Sequence, residues 1–261
     1  MKSHLKLISS AATVSRRQRI LEIRGLCKTF PGAGTFQKVL EGIDVDVARG
    51  EMICILGRSG CGKTTLLNIL AGFIPPTSGS LLLDGRPVAR PGPDRCVVFQ
   101  EDALFPWLTV EENIAFGMRA PQRSVRQEVE RFLALVGLTE FRSYLPREIS
   151  GGMKQRVALA RVLILKPAVL LMDEPFAALD AQTREEMQDL LLDLWARLNH
   201  TILFVTHDVA EAVKMADRIL LMDTNPGRIR EEIRIGLPRP REKENGPFLE
   251  LCRGLLAKLR G

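Results

Sequence analysis

Residues Met52–Gly72 read "MICILGRSGCGKTTLLNILAG", and two changes of pattern inside this stretch decide the fold. Met52–Gly57 is a short apolar run ending in glycine, the signature of a buried strand. Lys63–Gly72 is apolar at helical spacing and stops at glycine. Between them, "GRSGCGKT" (Gly57–Thr64) fits G-x-x-x-x-G-K-[ST] with a strand before it and a helix after it. The glycines let the backbone curl so that successive N–H groups converge on phosphate oxygens, and the helix N-terminus adds a partial positive charge. In such a loop Lys63 reaches the outer phosphates and the Thr64 hydroxyl is a ligand for Mg²⁺.

Moving outward, "AVLLMD" (Ala168–Asp173) and "TILFVTH" (Thr201–His207) read as two more buried strands, separated by the amphipathic helix "AQTREEMQDLLLDLWARLN". Strands alternating with helices predict an α/β fold with a mainly parallel sheet. Residues 20–50 hold two alternating stretches joined by "PGAGT", which predicts antiparallel strands, and Gly79–Val88 predicts a hairpin with an Asp-Gly turn. Residues 111–146 read as mostly helical, with Glu111–Phe116 and Arg123–Val136 as the segments. There is no internal repeat.

Composition bounds the function. The 261 residues are 46% hydrophobic and 26% charged, the balance of an ordinary globular protein. Five cysteines without a C-x-x-C pair argue against a disulfide framework or zinc site and suit a reducing cytoplasm. No apolar run approaches the roughly 18 residues of a membrane span. Residues 1–19 read as a flexible basic leader rather than a signal peptide. The net charge of +6 sits at the ends: +5 over residues 1–24 and +4 over 226–261, leaving −3 between. That is not the basic stripe of a nucleic-acid-binding domain. His4 and His200 have no ligand-like companions and read as surface or packing residues, and Cys61 as a small filler in the loop. Phe248, Leu251, Cys252, Leu255 and Leu259 form a helical stripe suited to packing on the domain or, as the alternative, on a partner.

Two further segments carry chemistry. "VLLMDEP" (Val169–Pro175) delivers Asp173 and Glu174 at the carboxyl end of a strand, where open α/β sheets bind ligands. Neighbouring side chains leave a strand in opposite directions, so the two acids divide the work: Asp173 holds Mg²⁺ and Glu174 polarises the attacking water. In "ISGGMKQRVALARVL" (Ile149–Leu163), Ser150 is a good N-cap, and Gly151 and Gly152 expose backbone N–H groups before a basic helix. This second anion site, in a chain that already has a phosphate loop, is expected to cover the nucleotide of another copy.

With these motifs in order, residues 20–240 resemble the ATP-binding cassettes of ABC transporters. The resemblance implies a P-loop NTPase cassette with a mainly parallel sheet, an N-terminal antiparallel β subdomain and a helical subdomain at about 101–152. Residues 241–261 form a C-terminal amphipathic tail. It also implies that Gly57, Arg58, Ser59, Gly60, Cys61, Gly62, Lys63, Thr64 and Thr65 bind ATP. Phe30 falls where an aromatic stacks on adenine, Gln100 at the Q-loop glutamine, Ser150–Gly152 at the signature motif, Asp180 in the D-loop and His207 at the switch histidine. Thr64, Gln100 and Asp173 are then the Mg²⁺ contacts, and Glu174, His207, Gln100 and Lys63 the catalytic set. Two departures stand out: the usual L-S-G-G-Q has Ile149 and Met153 at its outer positions, and Phe30 replaces the frequent Tyr.

The same resemblance implies two cassettes, most simply a homodimer, sandwiching two ATP molecules. It places them at the cytoplasmic face of the membrane beneath permease subunits, with a solute-binding protein as indirect partner and no nucleic acid. Three details resemble the nitrate/sulfonate/taurine importers: "PGPDRCVVFQEDALFPW" (Pro91–Trp107), "NPGRI" (Asn225–Ile229) and "LPRPR" (Leu237–Arg241). That group carries small anions, bicarbonate among them. Leu104, Phe105 and Trp107, with Glu101 and Asp102, are the expected permease contacts, the alternative being that Phe105 and Trp107 only pack the helical subdomain. The alternatives are an exporter cassette or a soluble ABC ATPase acting on nucleic acid. The second is disfavoured by a single signature, a short Gln100–Ser150 interval and the acidic middle.

Overall fold

The computed structural model describes residues 18–32, 35–99, 104–119 and 122–260. Its first two elements are the long antiparallel strands β1 (Arg19–Pro31) and β2 (Phe36–Ala48), as the alternating stretches predict. Then come β3 (Met52–Gly57) and α1 (Lys63–Ala71), within a residue of the boundaries read from the sequence. β4 (Ser78–Leu83) and β5 (Arg86–Pro87) form the small hairpin. Asp84 and Gly85 both take positive φ in its two-residue turn, 48° and 72°, the type I′ geometry that matches strand twist. Together these strands make a four-stranded antiparallel sheet in the order β2-β1-β4-β5.

β6 (Arg95–Val98) leads to the helical region, where α2 (Val110–Ala115) and α3 (Gln122–Leu135) are followed by two short 3₁₀ turns. α2 begins with a reciprocal cap: the Thr109 hydroxyl accepts from the Glu112 amide, and the Glu112 carboxylate accepts from the Thr109 amide. The chain continues through α4 (Gly151–Leu163), β7 (Val169–Asp173), α5 (Ala181–Leu198) and β8 (Thr201–Thr206). It ends with α6 (Val209–Met215), β9 (Arg218–Met222), β10 (Ile229–Arg234) and α7 (Gly246–Arg260). The main sheet runs β10-β9-β3-β8-β7-β6, parallel except for the β10 edge. The structure adds β6, β9, β10 and α6 to the sequence reading. β6 has four half-buried residues, β10 is an edge strand with four charged residues in six, and α6 is under two turns, so these three carry no strong local pattern, whereas β9 is a buried apolar run like β3.

Apolar residues of the central strands divide between two cores. Met52, Cys54 and Leu56 of β3 join Ile202 and Phe204 of β8 on the face covered by helices. Ile53 and Ile55 join Leu203, Val205 and α1 on the face toward the antiparallel sheet. A strand covered on both faces needs no polar alternation, which is why β3 reads as a continuous apolar run. Phe248 and Leu255 of α7 are buried in the helical-side core, and Leu251, Cys252 and Leu259 pack against it, so the C-terminal stripe covers the cassette itself.

Candidate active site

Parallel pairing sets the carboxyl ends of β3, β7 and β8 side by side: Leu56 pairs with Thr206, and Asp173 with Val205. The phosphate loop, the Asp173–Glu174 pair and His207 therefore leave the sheet on one edge. Gly57 ends β3 where an added Cβ would lie 2.7 Å from Cys61 Sγ and 2.9 Å from the Met222 carbonyl oxygen, so only glycine lets the loop fold this tightly. Lys63, nearly buried, donates from Nζ to the carbonyls of Gly57 (2.9 Å) and Arg58 (3.2 Å), which holds its ammonium inside the curl. Cys61 is fully buried and burial raises its thiol pKa, the behaviour of a filler rather than a reactive group.

The Thr64 hydroxyl donates to Asp173 Oδ1 at 3.3 Å. Burial raises the Asp173 carboxyl above its ordinary range, against the Thr64 hydrogen bond and with help from the neighbouring Glu174 charge. Glu174 keeps the ladder with its N–H to the Val205 carbonyl, but its φ of 45° is left-handed. Strand alternation therefore ends at Asp173, and this backbone turn directs the Glu174 carboxylate. For a residue other than glycine that conformation costs on the order of 1–3 kcal/mol and collects at functional sites. His207 Nδ1 lies 3.1 Å from Glu174 Oε2, which joins the acid of β7 to the histidine after β8.

Ser150 caps α4, its Oγ accepting from the Met153 amide at 3.3 Å. Met153 packs its side chain on the helical-side core and Ile149 is buried there, so both departures from L-S-G-G-Q serve packing. An added Cβ on Gly152 would lie 2.7 Å from Thr183 Cγ2, so the signature segment sits against the start of α5. Asp180 caps that helix, accepting from the Thr183 amide (3.0 Å) and hydroxyl (2.6 Å). Phe30 lies on β1 with the Lys28 ammonium 4.9 Å from its ring centre. The structure thus gathers Lys63, Thr64, Asp173, Glu174 and His207 at one place, and gives Ser150–Gly152 a separate helix N-terminus. Gln100, with Glu101 and Asp102, lies outside the described residues, as do the leader residues 1–17.

Several residues escape the sequence reading. Asn113, fully buried on α2, donates to the carbonyls of Phe105 (3.2 Å), Leu108 (2.9 Å) and Thr109 (3.0 Å) and accepts from the Phe105 amide (2.9 Å). It shapes the loop that holds Phe105 in a ring cluster, 5.7 Å from Trp107 and 4.1 Å from Phe116 between centroids. Trp107 is 71% exposed and Phe116 59%, while Leu104 packs on the core. The "LPRPR" arginines also gain a role: Arg241, buried, donates to the carbonyls of Val213 (2.7 Å) and Ala216 (2.6 Å) at the end of α6. Arg239 stacks over Trp195 and pairs with Asp217. "NPGRI" folds behind the phosphate loop, with the Gly227 amide donating to the Val39 carbonyl at 2.8 Å.

A glycine-cradled lysine, a Thr–Asp pair and a Glu–His pair at the carboxyl edge of a parallel sheet define a nucleotide-hydrolysing P-loop ATPase. The family is narrower. Residues 40–177 match the ABC transporter family model, and the chain belongs to that family as one of its ATP-binding, ATP-hydrolysing cassettes. It is 48% identical over 244 residues to the nitrate import ATP-binding protein NrtD of Synechococcus elongatus, covering 91% of this chain and 88% of that one. It is 42% identical over 236 residues to the aliphatic sulfonates import ATP-binding protein SsuB of Bacillus cereus, covering 90% and 94%. The dimeric ATP-binding cassette MJ0796, in a post-hydrolysis state bound to ADP and Pi, superposes with a TM-score of 0.71 at 28% identity, over 84% of this chain and 100% of that one. Among the described residues, no helix is long and apolar enough to cross a membrane.

Proposed function

We propose that this chain powers an importer of a small anion of the nitrate, sulfonate or bicarbonate kind, docking as a peripheral homodimer on the cytoplasmic face of its permease. The observation that carries the reading is the convergence of the Lys63 loop, the Thr64–Asp173 pair and the Glu174–His207 pair on one sheet edge. The two importer relatives support the direction and class of transport.

The residues divide the reaction. Backbone amides of the phosphate loop and Lys63 bind and orient the phosphates, Phe30 stacks on the base, and Ser150–Gly152 of a second copy closes over the γ-phosphate. Glu174 takes a proton from the attacking water, and His207 orients Glu174 and the leaving phosphate. Among the described residues there is no cluster of three or more His, Cys, Asp or Glu for a metal, and Mg²⁺ needs none, since one or two side chains plus phosphate oxygens hold it. Thr64 and Asp173, already paired, fit that role, with Gln100 as the further contact the family resemblance implies, and the ion would supply charge neutralisation on the phosphates.

The exposed ring cluster of Phe105, Trp107 and Phe116 is the proposed permease contact, since soluble surfaces rarely expose such groups together. Co-expression with the permease and solute-binding protein of a nitrate or sulfonate importer tests the reading. The expected result is a membrane complex whose ATPase activity rises with binding protein loaded with nitrate or an alkyl sulfonate. No permease association, with ATPase activity stimulated by nucleic acid, overturns it.

A further inference from the structure

Glu211 of α6 is only 6% exposed and has no part in the chemistry described above. Its Oε2 accepts from the Thr206 hydroxyl, and Thr206 Oγ1 in turn accepts from the Asp208 amide at 3.1 Å. Thr206 and Asp208 are the chain neighbours of His207. One hydrogen-bonded chain starting at Glu211 therefore grips the backbone on both sides of the histidine. The far end of the same helix is also held, by the Arg241 guanidinium on its terminal carbonyls.

The other half of the carboxyl is informative too. Glu211 Oε1 is buried with no hydrogen-bond partner among the described residues. A buried carboxyl oxygen without a donor favours the neutral acid, which carries its proton on Oε1 while Oε2 goes on accepting from Thr206. The charges facing this site are Asp208 beside its own helix and Arg184 on α5, with the Cys54 thiol on β3. Burial is the main cause that raises Glu211, to about 7; Asp208 adds to it, while Thr206, Arg184 and Gln188 oppose it.

We propose that Glu211 is a positioning residue for His207, acting through Thr206 and the Asp208 amide. The proposal rests on the reading of His207 as the residue that orients Glu174 and the phosphate. Glu211 performs this task as the neutral acid, so its ionisation loosens the mount.

Steady-state ATPase kinetics of the full chain, from about pH 6 to about pH 8.5, test it. Glu211→Ala and Thr206→Val are expected to lower kcat about tenfold or more, with KM for ATP within about twofold, because binding is kept and alignment is lost. Glu211→Gln keeps an oxygen to accept from Thr206 and stays neutral at every pH. It is expected to hold kcat within about threefold and to flatten the fall in the parent's profile above about pH 7. Glu211→Gln losing as much as Glu211→Ala overturns the neutral-acid role. Parental kcat in folded Glu211→Ala, or in Thr206→Val where the alanine variant does not fold, overturns the positioning role while His207→Ala is inactive. Parental kcat in His207→Ala instead overturns the reading of the histidine.

Discussion

His207 Nδ1 and Glu174 Oε2 lie 3.1 Å apart, although one follows β8 and the other follows β7. The left-handed φ at Glu174 and the parallel register between the two strands make that contact. Glu174→Gln keeps the shape and loses the base. It is expected to bind ATP as the parent does and to turn over about 10²-fold more slowly or worse. Nucleotide-binding titration with single-turnover hydrolysis checks this, and near-parental turnover would remove Glu174 from the role.

Lys63 holds its ammonium against the Gly57 and Arg58 carbonyls, inside the space the phosphate loop encloses. Lys63→Ala removes the ammonium from that curl and is expected to abolish ATP binding or turnover. Equilibrium binding of a fluorescent ATP analogue reads the first and phosphate release the second.

Gly227 supports the loop from behind. A Cβ there would run into the Cys61 carbonyl oxygen and the Met222 side chain, and would press on the Val39 carbonyl oxygen. Gly227→Ala is expected to cost about 1–3 kcal/mol through overpacking and to weaken ATP binding at least about fivefold, with the helix content unchanged. Circular dichroism and ATP titration separate the two effects. Parental affinity would mean that the loop yields to a methyl group at no cost.

Asn113 and Trp107 divide the support and the surface of one loop. Asn113→Ala leaves the Phe105 amide and three carbonyls without their partner and is expected to destabilise the chain by about 2–3 kcal/mol, read by urea unfolding. Trp107→Ala removes an exposed ring. It is expected to leave hydrolysis by the isolated cassette intact and to uncouple reconstituted transport. Unfolding of this variant would assign Trp107 to packing instead.

Glu211 makes stability depend on pH. Its carboxyl moves from 4.5 to about 7 on folding because burial disfavours the charge. Between those values the folded chain holds a proton that the unfolded chain has released, so stability is full below about pH 4.5 and falls as pH rises toward about 7. Glu211→Gln lacks this slope and is expected to gain up to about 3 kcal/mol on the parent at about pH 8 relative to about pH 5, by denaturant melts. Equal pH dependence in the two proteins would place the titration elsewhere.

The order of motifs and most elements are legible in the sequence because they rest on local rules. β3 is apolar throughout, α1 stops at Gly72, α4 opens on a Ser150 cap, and Asp84–Gly85 makes its own turn. The short elements β6, β10 and α6 are not, since their stability comes from neighbours rather than from their own pattern. Asn113 reads as an ordinary helix-start residue, and nothing local shows that its amide organises a loop eight residues back.

By itself, then, the sequence determined the phosphate loop, the acidic strand end, the signature helix and the family they spell out, because each is a run of adjacent residues whose chemistry is set by spacing. Tertiary structure alone decided which distant groups meet. It brought Thr64 to Asp173, His207 to Glu174, Gly227 behind Cys61, and Arg239 and Arg241 to the end of α6. The physical reason is that these contacts are made by parallel strand register and by close approach between separate segments, which no local pattern records.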